Sequence, residues 1–472
     1  MKHLIFICLL ALSPEIAAQS GRAVIQNSQT SPPEASSEPT VKKLFDEANA
    51  YNRTKFAEFE TKKIKYSEAL EKQTDREKKQ LAAKYASQVR ARKQLKGDDI
   101  YYLGLLDWIA ENLEGTVESL RKYIADASSS GDKIQTSRSL ITFVEAKRGG
   151  VLQAVESWNE YQKNEPKKLA EISRMASEIA KAYIKAKDLE KAMPFAVEAY
   201  RASKTSSADP ATRIRSLDEM VDTGMLVFEI AASRDKIAEA ETILTDMQDS
   251  AAKFGSPSFF FYASDKLITY QIETGRKALA METYLTALMK AGRDLPLKGQ
   301  QTDAIDRLKR REKQYKLMLE PAIEFVSVDK WFPGEKKALE SLKGKVVVLD
   351  FWATWCAPCF EAFPLLADWS RDYAADGLVV LGMTRYYGNQ EGFAVDHPSE
   401  IEFLNRLREK QKLPYDFVVF DDQQTQMAYA ATALPTAVII DRKGKIRYIE
   451  SGTSTTRLED MRQMIIKLLA EK

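Results

Sequence analysis

Cys356 and Cys359 are two of only three cysteines in the chain, and they stand three residues apart in the run "VVVLDFWATWCAPCFEAFP", Val346 to Pro364. Residues i and i+3 at the start of a helix share a face and lie within disulfide reach, so this pair can cycle between dithiol and disulfide. The competing use of such a pair is half of a zinc site, which needs three or four ligands. The chain has only two histidines, His3 and His397, too few to complete a set. No metal site and no cofactor is expected. Asp350 is the one acid inside the apolar run that precedes the cysteines. A carboxyl buried without a partner holds its proton more tightly, and one that titrates near neutrality can take the proton from a thiol as that thiol attacks. The bland alternative for Asp350 is a strand-end acid turned towards water.

These groups need a strand and a helix to hold them. Val346 to Leu349 is a continuous β-branched and aliphatic run, continued by Phe351 and Trp352, as in a strand buried on both faces. Phe360, Phe363, Leu366 and Trp369 then repeat close to helical spacing. Cys356 therefore falls at a strand-to-helix junction, in the first turn. Pro358 suits that turn because its missing N–H would be unpaired there anyway. The positive end of the helix favours thiolate over thiol at Cys356, and the thiolate is the form that attacks a disulfide. Cys359, one turn on, is placed to resolve the mixed disulfide.

The stretch "GKVVVLDFWATWCAPCFEAFPLL" resembles the active-site region of the thioredoxin superfamily in its extracytoplasmic TlpA/ResA-like branch, and "ALPTAVIIDRKGKI" (Ala433 to Ile446) resembles the second signature of that family. The likeness runs from about Leu319 to Lys472. It implies an α/β thioredoxin fold over 320–472 and a redox-active disulfide between Cys356, the exposed nucleophile, and Cys359, the resolving thiol. It also implies a buried acid at Asp350, where many members of the branch carry another residue, and a cis-proline at Pro435 facing the cysteines. Leu434 would pair its backbone with an extended substrate, and Trp355 would pack beside Cys356 or simply in the core. "GLVVLGMT" and "YDFVVFDD" would be further parallel strands. "TAVIIDRKGKIRYIE" would be a hairpin turning at Lys443-Gly444, and "RLEDMRQMIIKLLAEK" the closing helix of a four- or five-stranded sheet. The segment 385–399 is long and aromatic for a connection, and reads as a lid, a partner-recognition loop or a surface insertion.

The rest of the chain reads differently. At 472 residues it has room for several domains, and 44% apolar with 29% charged residues is the balance of a globular protein. A net charge of +2 gives no field that would favour nucleic acid. "MKHLIFICLLALSPEIAAQS" has a basic start, an apolar core from Leu4 to Leu12 and small residues at Ala17 and Ala18. That is a secretory signal over 1–18, cleaved after about Ala18, the alternative being an uncleaved anchor. Cys8 leaves with it, so the mature chain holds one close cysteine pair and no disulfide framework, which points to chemistry in an exported, periplasmic protein. Residues 19–40 are Ser/Pro/Gln-rich and read as a disordered leader.

From 41 to 319 the pattern is helical. The strongly basic part, Arg53 to Lys96, carries a sparse stripe at Leu81, Tyr85 and Val89 and reads as a solvated helix face, or else a membrane-surface helix. "NLEGTVESLRKYI", "GGVLQAVESWNEY", "KDLEKAMPFAVEAY", "RDKIAEAETILTDM" and "GRKALAMETYLTAL" align on Thr116, Ala154, Ala192, Ala240 and Ala280, at intervals of 38 to 48 residues. Such periods belong to helix-hairpin solenoids, where small residues let helices approach closely. The stretch resembles tetratricopeptide repeats, best over Tyr183–Tyr200, with an irregular bundle as the alternative.

The expected architecture is thus an all-α helical-repeat domain followed by a thioredoxin domain. The expected activity is disulfide reduction in exported proteins, because Ala357-Pro358 offers nothing that strongly stabilises a reduced thiolate. Its partners would be disulfide-containing exported clients, a membrane thiol-disulfide electron donor and a protein held by the helical repeats, with roles in cell redox homeostasis and cytochrome c maturation. Two rivals stand beside it. One is a helical-repeat scaffold with a thioredoxin-like adaptor. The other is a thiol peroxidase, which sets a threonine three residues before its cysteine, where this chain has Ala353.

Overall fold

Among the described residues thirteen helices precede the sheet, and side-chain caps at Thr40, Ser67, Asn112, Asp188 and Ser256 open five of them. The computed structural model describes residues 38–126, 131–390 and 393–471. The expected signal, Cys8 and most of the expected leader lie outside these residues. α1 (Val41–Thr61) and α2 (Glu68–Arg90) come first. Five pairs follow: α3 (Asp98–Ile109) with α4 (Leu113–Ala125), α5 (Gly131–Lys147) with α6 (Val151–Gln162), α7 (Leu169–Lys185) with α8 (Leu189–Ser206), α9 (Arg213–Ser233) with α10 (Ile237–Lys253), and α11 (Pro257–Glu273) with α12 (Lys277–Asp294). α13 (Lys298–Leu317) stands alone. Contacts divide the described residues into two units, one ending at Met247 within α10 and one beginning at Gln248. No helix among the described residues is long and apolar enough to cross a membrane.

Each pair is joined by the same turn. Glu111, Gly149, Lys187, Asp235 and Gly275 have positive φ. The next residue in each case, Asn112, Gly150, Asp188, Lys236 or Arg276, donates its N–H to the carbonyl five residues back. That is the left-handed closure that pairs the last carbonyls of a helix. Four residues later stand Thr116, Ala154, Ala192, Ala240 and Ala280, all 0% exposed. The aligned small residues therefore share one structural position, the first turn of the second helix, where a longer side chain would push the neighbouring helix away. In α2 the buried stripe is Thr74, Lys78, Ala82, Ala86 and Val89. Leu81 and Tyr85, expected in it, sit one position off and are half-buried.

The remaining elements are β1 (Val328–Phe332), β2 (Val346–Phe351), α14 (Ala357–Asp372), β3 (Leu378–Arg385), β4 (Asn389–Gln390), β5 (Phe393–Ala394), α15 (His397–Lys410), β6 (Asp416–Phe420), α16 (Gln424–Ala428), β7 (Thr436–Ile440), β8 (Ile446–Ser451) and α17 (Thr455–Ala470). Six strands form one sheet in the order β1-β6-β3-β2-β7-β8, with β4 and β5 paired separately. β2 runs parallel to β3 and β3 to β6, while β7, β8 and β1 pair antiparallel. The sixth strand, β1, exceeds the four or five expected. Its sequence "VDKWF" is short, exposes Asp329 and Lys330, and offers no apolar run to read.

β2 is buried along its whole length, as a central strand should be. Its even residues Val346 and Val348, with Trp352 just past its end, join Cys356, Cys359, Phe363 and α17 residues such as Ile465 in one core. Its odd residues Val347, Leu349 and Phe351 join Leu339, Leu342 and Tyr429 in the core of the opposite face. The outer edge of β8 is not bare. Leu319 N–H bonds to Ile446 O at 2.7 Å, Ile446 N–H to Glu320 O at 3.0 Å and Ala322 N–H to Gly444 O at 2.8 Å. These bonds cover the start of β8, at Ile446.

Candidate active site

The junction between β2 and α14 places the cysteines. Cys356 is the cap residue of α14 and Pro358 its second residue, as the spacing predicts. Cys359 N–H bonds to Cys356 O at 2.9 Å, and the two residues are joined by a disulfide with Cα atoms 5.4 Å apart. Cys356 is 3% exposed in the disulfide form, not the exposed thiol that the resemblance implies, because it packs in the core with Trp352 and Phe363; Cys359 is 0% exposed, so what access there is runs through Cys356. A thiolate released at Cys356 stands where the first helical N–H groups and the positive end of the helix stabilise it.

Asp350 lies on the same face of the sheet as the disulfide. It is 2% exposed, which removes the water-facing alternative. Its neighbours across the sheet are Gly382 on β3 and Ala437 on β7. Both are small, and this leaves room for a carboxyl in an apolar layer. A Cβ on Gly382 would stand 2.8 Å from the Phe417 ring and 3.2 Å from Trp352 Nε1, so only glycine fits there. Asp350 Oδ2, Trp352 Nε1 and the Tyr415 hydroxyl are buried with no hydrogen-bond partner among the described residues. Burial pushes the Asp350 carboxyl up to about 7, against the pull of the Arg457 guanidinium. Tyr415 is pushed up by burial and then by the nearby Asp350.

The loop before β7 completes the surround. The Leu434–Pro435 peptide is cis, Pro435 is buried, and its carbonyl accepts from Gly452 N–H at 2.8 Å. Leu434 is half-buried against the core that contains both cysteines. Trp355 is 64% exposed, so plain core packing is not its role. Its ring meets Tyr387 edge-on at 5.7 Å, and the Arg385 guanidinium covers Tyr387 at 4.2 Å. The segment after β3 is thus pinned beside the disulfide. Glu400, fully buried, accepts from Tyr387 N–H at 2.9 Å and Gly388 N–H at 3.0 Å, while the Tyr386 ring stacks on His397 at 3.7 Å.

Comparison with known proteins decides the family. Residues 320–449 match the AhpC/TSA family. The thioredoxin-like protein YneN of Bacillus subtilis is 32% identical over 128 residues, 27% of this chain and 69% of its own. Thiol-disulfide oxidoreductase ResA of Geobacillus thermodenitrificans is 31% identical over 144 residues, 30% of this chain and 72% of its own. The chain belongs to the ResA-like thiol-disulfide oxidoreductases. Among solved structures, a thiol:disulfide interchange protein of Chlorobium tepidum is 21% identical and covers 32% of this oxidoreductase and 97% of itself, with a TM-score of 0.26.

Some residues that shape this oxidoreductase's site escaped the sequence reading. Gly382 and Ala437 matter only through their register with Asp350. Arg457 was legible as one more cation on an amphipathic helix. Tyr387 had a weak signal in the aromatic density of 385–399.

Proposed function

We propose that this is an exported disulfide reductase, with 1–18 removed, 41–319 recruiting or orienting a partner and 320–472 performing the chemistry. Cys356 thiolate attacks one sulfur of a client disulfide, the client S–S bond breaks, and the departing client thiolate takes up a proton. Cys359 then loses its proton to the Asp350 carboxylate and attacks Cys356 Sγ. The mixed disulfide breaks, the second client sulfur leaves as a thiolate and takes up a proton, and the chain is left as the Cys356–Cys359 disulfide. Two electrons have passed to the client. A membrane dithiol donor restores the reduced form. Leu434 and Pro435 present backbone to an extended client, in the manner of strand addition, and Trp355 offers the client an exposed ring. Exported clients, and service to cytochrome c maturation or general disulfide repair, belong to this reading.

The observation that supports it is a cysteine pair at a helix start backed, on the same sheet face, by a buried carboxyl whose Oδ2 has no hydrogen-bond partner among the described residues. A Cys359→Ser variant leaves the first step intact and removes the second. It is expected to accumulate covalent adducts with exported proteins, all released by reductant. Full biological function in Cys356→Ser would instead favour the scaffold, and rapid peroxide turnover by the pure protein would favour the peroxidase.

A further inference from the structure

Two of the helices that precede the sheet, α11 and α13, meet it through charged groups. Asp350, Ala437 and Glu450 are successive partners in one row across β2, β7 and β8, so Asp350 and Glu450 point to the same face with one small residue between them. Two strand spacings put their Cα atoms about 10 Å apart. α17 packs on that face, and Arg457 in its first turn donates a terminal N–H to Glu450 O. The Arg457 Nε is buried with no hydrogen-bond partner among the described residues, as is Asp350 Oδ2. From the other side, Arg311 on α13 donates to Glu450 Oε1 at 2.7 Å and Ile449 O at 2.9 Å. The same guanidinium bonds to Asp265 of α11 at 2.9 Å, and Tyr315, fully buried, holds Asp265 at 2.5 Å.

We propose that this alternating series, Asp265, Arg311, Glu450 and Arg457, ends on Asp350, which makes Arg457 a positioning residue for the acid and makes α11 and α13 part of the redox site. The inference rests on the acid role given to Asp350 above. Charge decides the direction of every effect. Arg457 favours the ionised carboxyl, and Glu450, also drawn to Arg457, competes for it. Arg311 neutralises Glu450, which leaves Arg457 to Asp350. The groups around Asp350 are Arg457 on α17, Tyr415 ahead of β6 and the cysteines on α14, with Glu450 two strands away on β8. Those around Arg457 are Tyr448, Glu450, Asp350 and Arg311, and those around Glu450 are Arg311, Asp265, Arg457 and Lys266.

The test uses the reduced full chain and a chromogenic aryl disulfide. One coloured thiolate is released when Cys356 attacks and a second when Cys359 resolves, so the second phase reports the base as a function of pH. Its midpoint in the native chain is expected near 7. Arg457→Gln should move the midpoint up by about one unit, slowing resolution about fivefold at pH 7 with little change at pH 9. Arg457→Lys, which keeps the charge and guards against misfolding, should leave it in place. Arg311→Gln should move it up and Glu450→Gln should move it down. Midpoints that stay fixed in Arg311→Gln and Glu450→Gln, or that move the same way in both, overturn the proposal. If Asp350→Asn still shows a midpoint near 7, the fault lies in the acid role itself.

Discussion

Replacing Asp350 by Asn should make the protein more stable above neutral pH and a poorer enzyme. The carboxyl is 2% exposed and is raised from 3.8 to about 7, mainly by burial. For an acid, a raised value means that the native state binds the proton more tightly than the unfolded chain does. Below about pH 4 both states are protonated and the acid adds no pH-dependent cost. As pH climbs to about 7 the unfolded chain is ionised and the native state is not, and stability falls by about 1.4 kcal/mol per unit. Above 7 the loss is constant, at about 4 kcal/mol. Asparagine never ionises, but its amide is left with few partners in this layer, a pH-independent cost of about 1–3 kcal/mol. Asp350→Asn should therefore be less stable than the native chain at pH 4 and more stable at pH 8, the two curves crossing between. The assay is urea unfolding of the oxidised full chain at each pH. It is followed by a short deuterium pulse at one fixed pH and mass spectrometry of the peptide carrying Val346–Phe351. A stability difference that is the same at pH 4 and pH 8 would refute the reasoning, because it would mean that the carboxyl is not held up by burial.

Other expectations follow from single contacts. Gly382→Ala puts a Cβ 2.8 Å from Phe417 and 3.2 Å from Trp352 Nε1, and should cost about 1–3 kcal/mol in the same unfolding assay. Ala192→Leu overfills a position that is 0% exposed at a helix-pair turn, and should destabilise the unit ending at Met247 by a similar amount, read by circular dichroism in urea. Trp355→Ala removes a ring that is 64% exposed, so stability should change by less than about 0.5 kcal/mol. Its effect should appear as slower reduction of peptide disulfides, with a small aryl disulfide reduced at the native rate.

The cysteine pair, its helix and the buried acid were legible because each announces itself locally. Two thiols at helical spacing, a proline in the first turn and an acid inside a β-branched run are statements about neighbouring residues. The helical repeat was legible at its five small residues for the same reason, since each marks a turn with one recurring hydrogen-bond pattern. What escaped is what depends on register and on distant partners. β1 has five residues with an exposed centre, and only its pairing with β6 makes it a strand. Gly382, Ala437 and Glu450 acquire meaning only in the row that contains Asp350. Arg311 stands among many charged residues of α13, and nothing local distinguishes the one that reaches Glu450. Nothing local to Trp355 distinguishes packing beside Cys356 from packing in the core; its exposure of 64% and its contact with Tyr387, 32 residues on, do.

Redox titration with site-resolved alkylation tests the central claim most directly. The mature protein is equilibrated across a series of dithiol buffers, quenched with an alkylating agent, and Cys356 and Cys359 are quantified separately by mass spectrometry. The account predicts one two-electron transition at a potential below about −200 mV. On brief exposure of the reduced form, Cys356 should be modified well before the fully buried Cys359. A transition near the about −120 mV of a strong oxidant, modification of Cys359 first, or no reversible transition at all would contradict it.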